Sequence, residues 1–168
     1  VSGHEPYTIS LRNVNRIKFI LSNNIKDQNI DDYLYSSYKR LLDNLEFHLL
    51  GNHLMENAFS LLFGAYYFND RDFYRKSEEI LLKEFDIQIL DDGGHFELSP
   101  MYHSIILQRT LDSLYLMDNN NFIDSGELNK KMHRQAVLML SWQLNLILIN
   151  LSLQVYSYLQ DLSLSLLQ

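Results

Sequence analysis

The first constraint on this chain is how little interrupts it. Two prolines and six glycines are spread over 168 residues, while Leu, Ile, Val and Phe return at three- and four-residue spacing along most of its length. A chain punctuated so rarely folds into long helices rather than strands joined by tight turns. A polar lead-in, 1–8, gives way to a helix starting near Ser10, which carries Leu11, Val14, Ile17, Phe19, Ile20 and Leu21. After a loop over 23–29, a second helix starts at Asp31 or Asp32 and runs to about Leu50. Its buried stripe is Tyr33, Leu34, Tyr38, Leu41, Leu42, Leu45 and Leu49. Asn52 caps a third helix that ends near Phe68, and a fourth spans Asp72 to Gln88. A fifth begins at Pro100 with Ser99 as its cap and ends near Asp118. A sixth starts near Gly126 and reaches at least Trp142. Short loops between helices of similar length predict antiparallel hairpins and an all-α fold of about six helices.

The segment 143–168 departs from this pattern. It holds one charged residue, Asp161, and neither glycine nor proline. Leu151, Leu153 and Val155 alternate with Ser152, Gln154 and Tyr156, which is a strand-like period. It reads as a helix with a loose pattern, a pair of strands, or a segment not selected to fold in this place. The solid apolar run 146–149 is too short to span a bilayer, so no membrane span is expected.

The formal net charge of −7 supplies no overall basic field for nucleic acid, and no nucleic-acid partner is expected. Cysteine is absent, which removes disulfides, thiolate metal sites and a cysteine nucleophile. No HExxH pair, GxSxG turn or glycine-rich phosphate loop occurs, so neither metal nor cofactor is expected. No leader segment is visible, and the compartment stays open.

The chemistry concentrates in DDGGHFELSPMYH, residues 91–103, a turn-rich polar stretch between apolar segments. Its Tyr102 and His103 are either packing and capping groups or a phenol poised for proton transfer with an imidazole beside it. His95 and Glu97 follow two glycines. They either brace the loop or, alternating in a short strand, turn both side chains to one face. Asn52 and His53 open the third helix. They are either a cap and a surface histidine or an amide and an imidazole that grip an anion at a helix N-terminus. Arg12, with Arg16 one turn on, is either a solvated face or a cationic patch for an acidic polymer. Tyr7 is one of several tyrosines that either pack or stack on sugar rings. Glu97 has no evident carboxylate partner, which argues against a glycoside hydrolase.

The blocks SGHEPYTISLRNVNRIKF, LEFHLLGNHLMENAFSLLFGAYYF and ILDDGGHFELSPMYHSIILQRTLDSLYL resemble the N-terminal helical domain of the heparinase II/III family of polysaccharide lyases. The resemblance covers Ser2 to Trp142. It implies an incomplete (α/α) toroid of helical hairpins over 1–142, with 143–168 an atypical tail out of register with the family. A β-sandwich domain, expected in a full-length member, has no room in this chain. The implied activity is β-elimination on an acidic, uronic-acid-containing polysaccharide, in the periplasm or outside the cell. Asn52 matches the residue that grips the uronate carboxylate, with His53 beside it, and Tyr102 matches the catalytic acid. His103, His95 and Glu97 line the implied cleft, with Arg12 and Tyr7 as further substrate-binding candidates. The alternative is a helical domain that binds acidic glycan without turnover. His4 and Arg16 stand where the resemblance leads one to expect tryptophan.

Overall fold

The computed structural model describes residues 5–49, 51–124 and 126–165. His4, Leu50, Ser125 and Leu166 lie outside the described residues. Among the described residues six helices follow one another: α1 (Pro6–Ser22), α2 (Gln28–Asp43), α3 (His53–Phe68), α4 (Arg71–Gln88), α5 (Pro100–Asp118) and α6 (Gly126–Ser165). The fold is all-α. Among the described residues no strand occurs, and extended pairing is limited to an isolated bridge between Ile89 and His95.

Local chemistry sets the helix starts. Pro6 opens α1, earlier than the apolar spacing predicts, because its fixed φ suits a first helical residue. Asp27 caps α2 by accepting from the Asn29 and Ile30 amides at 2.9 and 3.4 Å. Asp70 does the same for α4 with Asp72 and Phe73. α2 stops at Asp43 rather than near Leu50. Asn44 leaves the helical region at φ −132°, and Leu49, predicted inside, is exposed. Tyr33, also predicted inside, is 62% exposed.

The core is organised around α3, which is buried from Leu54 through Tyr66. It packs against α1, α2, α4 and α5. Such a helix must be apolar on every side, and its few polar groups must find partners inside. Ser60 donates to the Ser10 carbonyl and Ser77 to the Ala58 carbonyl, which stitches α3 to α1 and α4.

α6 has two halves. Leu128, Met132, Ala136 and Met139 are buried against the body. Lys131 pairs with Asp86 on α4, and Asn129 donates to Asp118 on α5 at 2.8 Å. Beyond Trp142 the helix continues to Ser165, so the described part of the tail is helical rather than stranded. Leu144, Ile147, Leu148, Ile149, Leu151, Leu153 and Val155 are all exposed. By length and composition Gly126–Val155 is apolar enough to cross a membrane. The run 146–149 did not suggest this, because the helix is continuous on both sides of it.

Candidate active site

Gly51, at φ +91°, turns the chain into α3 through a conformation that side chains other than glycine rarely adopt. A Cβ there would also run into the Glu97 carboxylate. Asn52 follows at the N-cap position, but its backbone is already helical (φ −74°, ψ −5°). Its side chain therefore caps nothing. It is 4% exposed, and its amide nitrogen is buried near the Tyr7 hydroxyl without a well-formed hydrogen bond. Leaving a donor in that state costs about 1–3 kcal/mol.

His53 stacks on Tyr7, ring centroids 4.5 Å apart and planes at 32°. Its Nδ1 lies 3.4 Å from Glu46 Oε1. Glu46 is itself buried and fixed. Its amide donates to Asn57 Oδ1 at 3.0 Å, and its Oε2 accepts from Asn57 Nδ2 at 3.0 Å. Asn57 Nδ2 also donates to Ser10 Oγ at 3.1 Å. The imidazole is thus oriented by a carboxylate that α1 and α3 hold in place.

Glu56 stands one turn after Asn52, on the same face of α3. It is fully buried, and Arg109 Nε donates to both its oxygens at 2.8 and 3.1 Å. Burial raises its pKa, against the opposing pull of Arg109. Arg109 lies two turns after Tyr102, on the same face of α5, so this pair joins the helices that carry Asn52 and Tyr102. Tyr7 sits among these groups. Burial raises its pKa first and the Glu56 charge second; Asn52 and Arg109 pull it down, and Tyr102 adds to the rise. Tyr7, Asn52, His53 and half-buried Tyr102 therefore share one neighbourhood over the Glu56–Arg109 pair.

The 91–103 loop reaches this neighbourhood through Gln88. Gln88 Nε2 donates to the Gly51 carbonyl at 2.9 Å and to Glu84 Oε2 at 2.8 Å. Its Oε1 lies 3.1 Å from His95 Nε2, and His95 Nδ1 accepts from the Glu97 amide at 3.4 Å. These roles make Nε2–H the donating nitrogen of His95. The ring is 1% exposed, and burial, helped by the nearby His103, lowers its pKa to about 4. His95 is thus a neutral brace inside the loop, and exposed Glu97 does not share its face.

Two candidates lie elsewhere. His103 is buried against α6, its Nε2 3.1 Å from the Met139 carbonyl and its ring 4.4 Å from Trp142. Burial lowers its pKa, with the Met139 carbonyl and Asp92 opposing. Arg12 faces α2, lining a groove of about 710 Å³ between α1 and α2. Sequence reasoning missed Glu46, Glu56, Gln88 and Arg109. Glu56 carried a signal, four residues from Asn52; the other three reach their places through tertiary contacts. Among the described residues no three His, Asp or Glu side chains converge as a metal site requires.

A family model described as Heparinase II/III N-terminus matches residues 9–161, which runs past Trp142 into the last helix. The chain is also similar to a heparin-sulfate lyase of Bacteroides stercoris, 28% identical over 109 residues. That alignment covers 62% of this chain and 16% of the relative, so the chain spans well under a quarter of the curated relative it matches. No solved structure matches.

Proposed function

We propose a lyase role for this chain, which belongs to the heparinase II/III N-terminal family: it supplies the helical wall of a site that breaks an acidic polysaccharide by β-elimination. The observation that supports this reading is the buried Asn52 amide nitrogen, which makes no well-formed hydrogen bond within the protein and lies close to the Tyr7 hydroxyl, beside His53. A donor in that state is one a ligand can satisfy. The carboxylate of a uronic acid is an acceptor of the right kind. Held by Asn52, it spreads negative charge more readily, and the neighbouring C5 proton becomes removable. A base takes that proton, the C–H electron pair forms the C4–C5 double bond, and the C4–O4 bond breaks. The Tyr102 hydroxyl protonates the departing O4. We assign the base role to His53. With Nδ1–H donated to Glu46, its Nε2 is left to accept.

Similarity to a heparin-sulfate lyase supports a sulfated, uronic-acid-containing substrate. The family supports a toroid of helical hairpins, and because the match runs to residue 161 it carries that domain past Trp142 into the last helix; it also supports a β-sandwich in the full-length protein that forms the opposite wall. His95 and Glu97 brace the cleft through Gln88 and Gly51.

The test is the ultraviolet absorbance of the unsaturated product, measured with the full-length protein on heparin and heparan sulfate. Tyr102→Phe is expected to lower kcat by about 10²–10⁴, the usual worth of a general acid, with KM little changed. A Tyr102→Phe protein as active as the parent would sink the assignment.

A further inference from the structure

α6 carries two apolar faces, and α4 and α5 cover one of them. The inner face, with Leu128, Met132 and Met139, is buried where α6 packs against those helices. A second stripe runs along the outer side: Leu140, Leu144, Ile147, Leu148, Leu151 and Val155, each between 41% and 61% exposed. At about 100° per residue these six lie within roughly 100° of arc, about 130° around the helix from the buried face. The stripe starts at Leu140, on the packed half of α6, and runs on without a break along the uncovered half. A contiguous exposed apolar surface of this kind marks an interaction site.

The spacing of the stripe says what fits it. Successive members are 4, 3, 1, 3 and 4 residues apart, so the order is the same from either end. Two copies of α6 laid antiparallel about a two-fold axis between Ile147 and Leu148 thus match apolar residue to apolar residue along the whole stripe. Leu140 meets the second copy's Val155, Leu144 meets its Leu151, and Ile147 and Leu148 meet their counterparts at the axis. The flanking positions Ser141, Gln143, Ser152 and Gln154 are neutral and can hydrogen-bond across the pair. No charged residue occurs from 143 to 155, so like charges do not oppose self-association there.

A bilayer would also suit the length and composition of this helix. Gln143, Asn145, Asn150 and Gln154, four amides within twelve residues, favour a helix as partner. In hydrocarbon each amide must be satisfied by the helix itself, whereas beside a second helix they form a polar rim.

We propose that the outer stripe of α6 is a self-association surface, on which a second copy of this chain lies antiparallel about a two-fold axis at Ile147 and Leu148. The contact is isologous, so it closes at a dimer. It is independent of the lyase assignment and needs no elimination at Tyr102. Ile149 and Leu153 lie on the opposite side of the helix and stay outside the contact. Six half-exposed side chains from each copy bury roughly 1,000 Å² in all, at the lower edge of specific interfaces, so the dissociation constant is on the order of micromolar or above. At low concentration the copies are separate, and the stripe contributes nothing to folding.

The experiment is sedimentation velocity of the full chain over about 1–500 µM. The parent passes from monomer to dimer and no further. Leu144→Gln with Leu148→Gln keeps good helix formers and weakens the dimer roughly tenfold or more. Ile149→Gln with Leu153→Gln removes similar apolar surface from the other side and leaves the dimer as in the parent. Because the chain has no cysteine, thiol cross-linking reads the register directly. With a short bismaleimide, Leu144→Cys mixed with Leu151→Cys gives a covalent dimer, and Leu144→Cys alone gives little. Circular dichroism confirms that each variant is helical. A parent that stays monomeric throughout overturns the proposal. So does equal weakening in the Ile149, Leu153 variant, a species larger than a dimer, or Leu144→Cys alone linking as well as the mixture. Flotation of the parent with phosphatidylcholine vesicles, in place of dimerisation, assigns the stripe to a bilayer and overturns it too.

Discussion

The N-terminal end of α3 and the stretch of α6 from Leu144 to Val155 break the inside–outside rule in opposite senses. Around α3, Asn52, Glu56, Asn57 and Glu46 are polar and buried. Along α6, Leu144, Ile147, Leu148 and their neighbours are apolar and exposed. The two are not equivalent in energy. A buried polar group is costly unless partnered, so α3 has a closely specified network: Glu56 with Arg109, Glu46 with Asn57 and His53, Asn57 with Ser10. The Asn52 amide nitrogen lies at the edge of this network without a well-formed bond of its own. An exposed leucine costs little, since it is just as exposed in the unfolded chain. The site is therefore where substitutions hurt, and the tail is where they do not.

The largest effect expected on folding comes from Arg109→Met. It leaves Glu56 buried without its donor, and breaking one partner of a buried pair costs about 3–5 kcal/mol. Urea unfolding at neutral pH measures it. The loss shrinks as pH falls, because protonated Glu56 no longer buries a charge. Adding Glu56→Leu to Arg109→Met restores much of the stability. A double variant no more stable than Arg109→Met would show that the two side chains do not act as a pair.

Next in size is a pH effect at the loop. His95 is buried neutral, its pKa lowered from 6.5 to about 4. The unfolded chain takes up this proton first, so stability is whole above about pH 6.5 and falls as pH drops toward 4. A shift of this size is worth about 3 kcal/mol by linkage. His103 shifts in the same direction and adds to the fall. Thermal unfolding between pH 7.5 and 4.5 is expected to show a midpoint that declines with acid, and His95→Gln flattens the decline. A midpoint in the parent that is level or rising toward acid would contradict a neutral His95.

Much of this contrast could be read in the sequence. The helices announced themselves through apolar spacing, and the start of α5 through Pro100; the start of α3 fell at Asn52 as expected, but not through capping, since the Asn52 side chain makes no cap hydrogen bond. The end of α2 did not, because Leu45 and Leu49 extend the stripe past Asn44, where the backbone turns out of the helix. Helical geometry also limits which candidates can act together. Tyr102 and His103 are successive residues, so they point about 100° apart. One can face the site only if the other faces α6. Arg12 and Tyr7, five residues apart on α1, point about 140° apart. What could not be read was pairing across distance. Glu56 meets Arg109, and Gln88 meets Gly51, through packing that local sequence does not encode.

The smallest effect is expected at the other pole of the comparison. Leu148 is 61% exposed, near the middle of the uncovered stretch of α6. Leu148→Gln keeps a good helix former and removes apolar surface that the body of the protein does not cover. Folding stability should change by less than about 0.5 kcal/mol, the range of surface substitutions. The same substitution on the buried half of the helix, Met139→Gln, would place an amide in the core beside His103 and cost several times more. Urea unfolding of the two variants side by side makes the test. Equal losses would mean that α6 is packed along its whole length. A negligible loss at Leu148 with a large one at Met139 would mean that tertiary packing of the helix ends between the two positions.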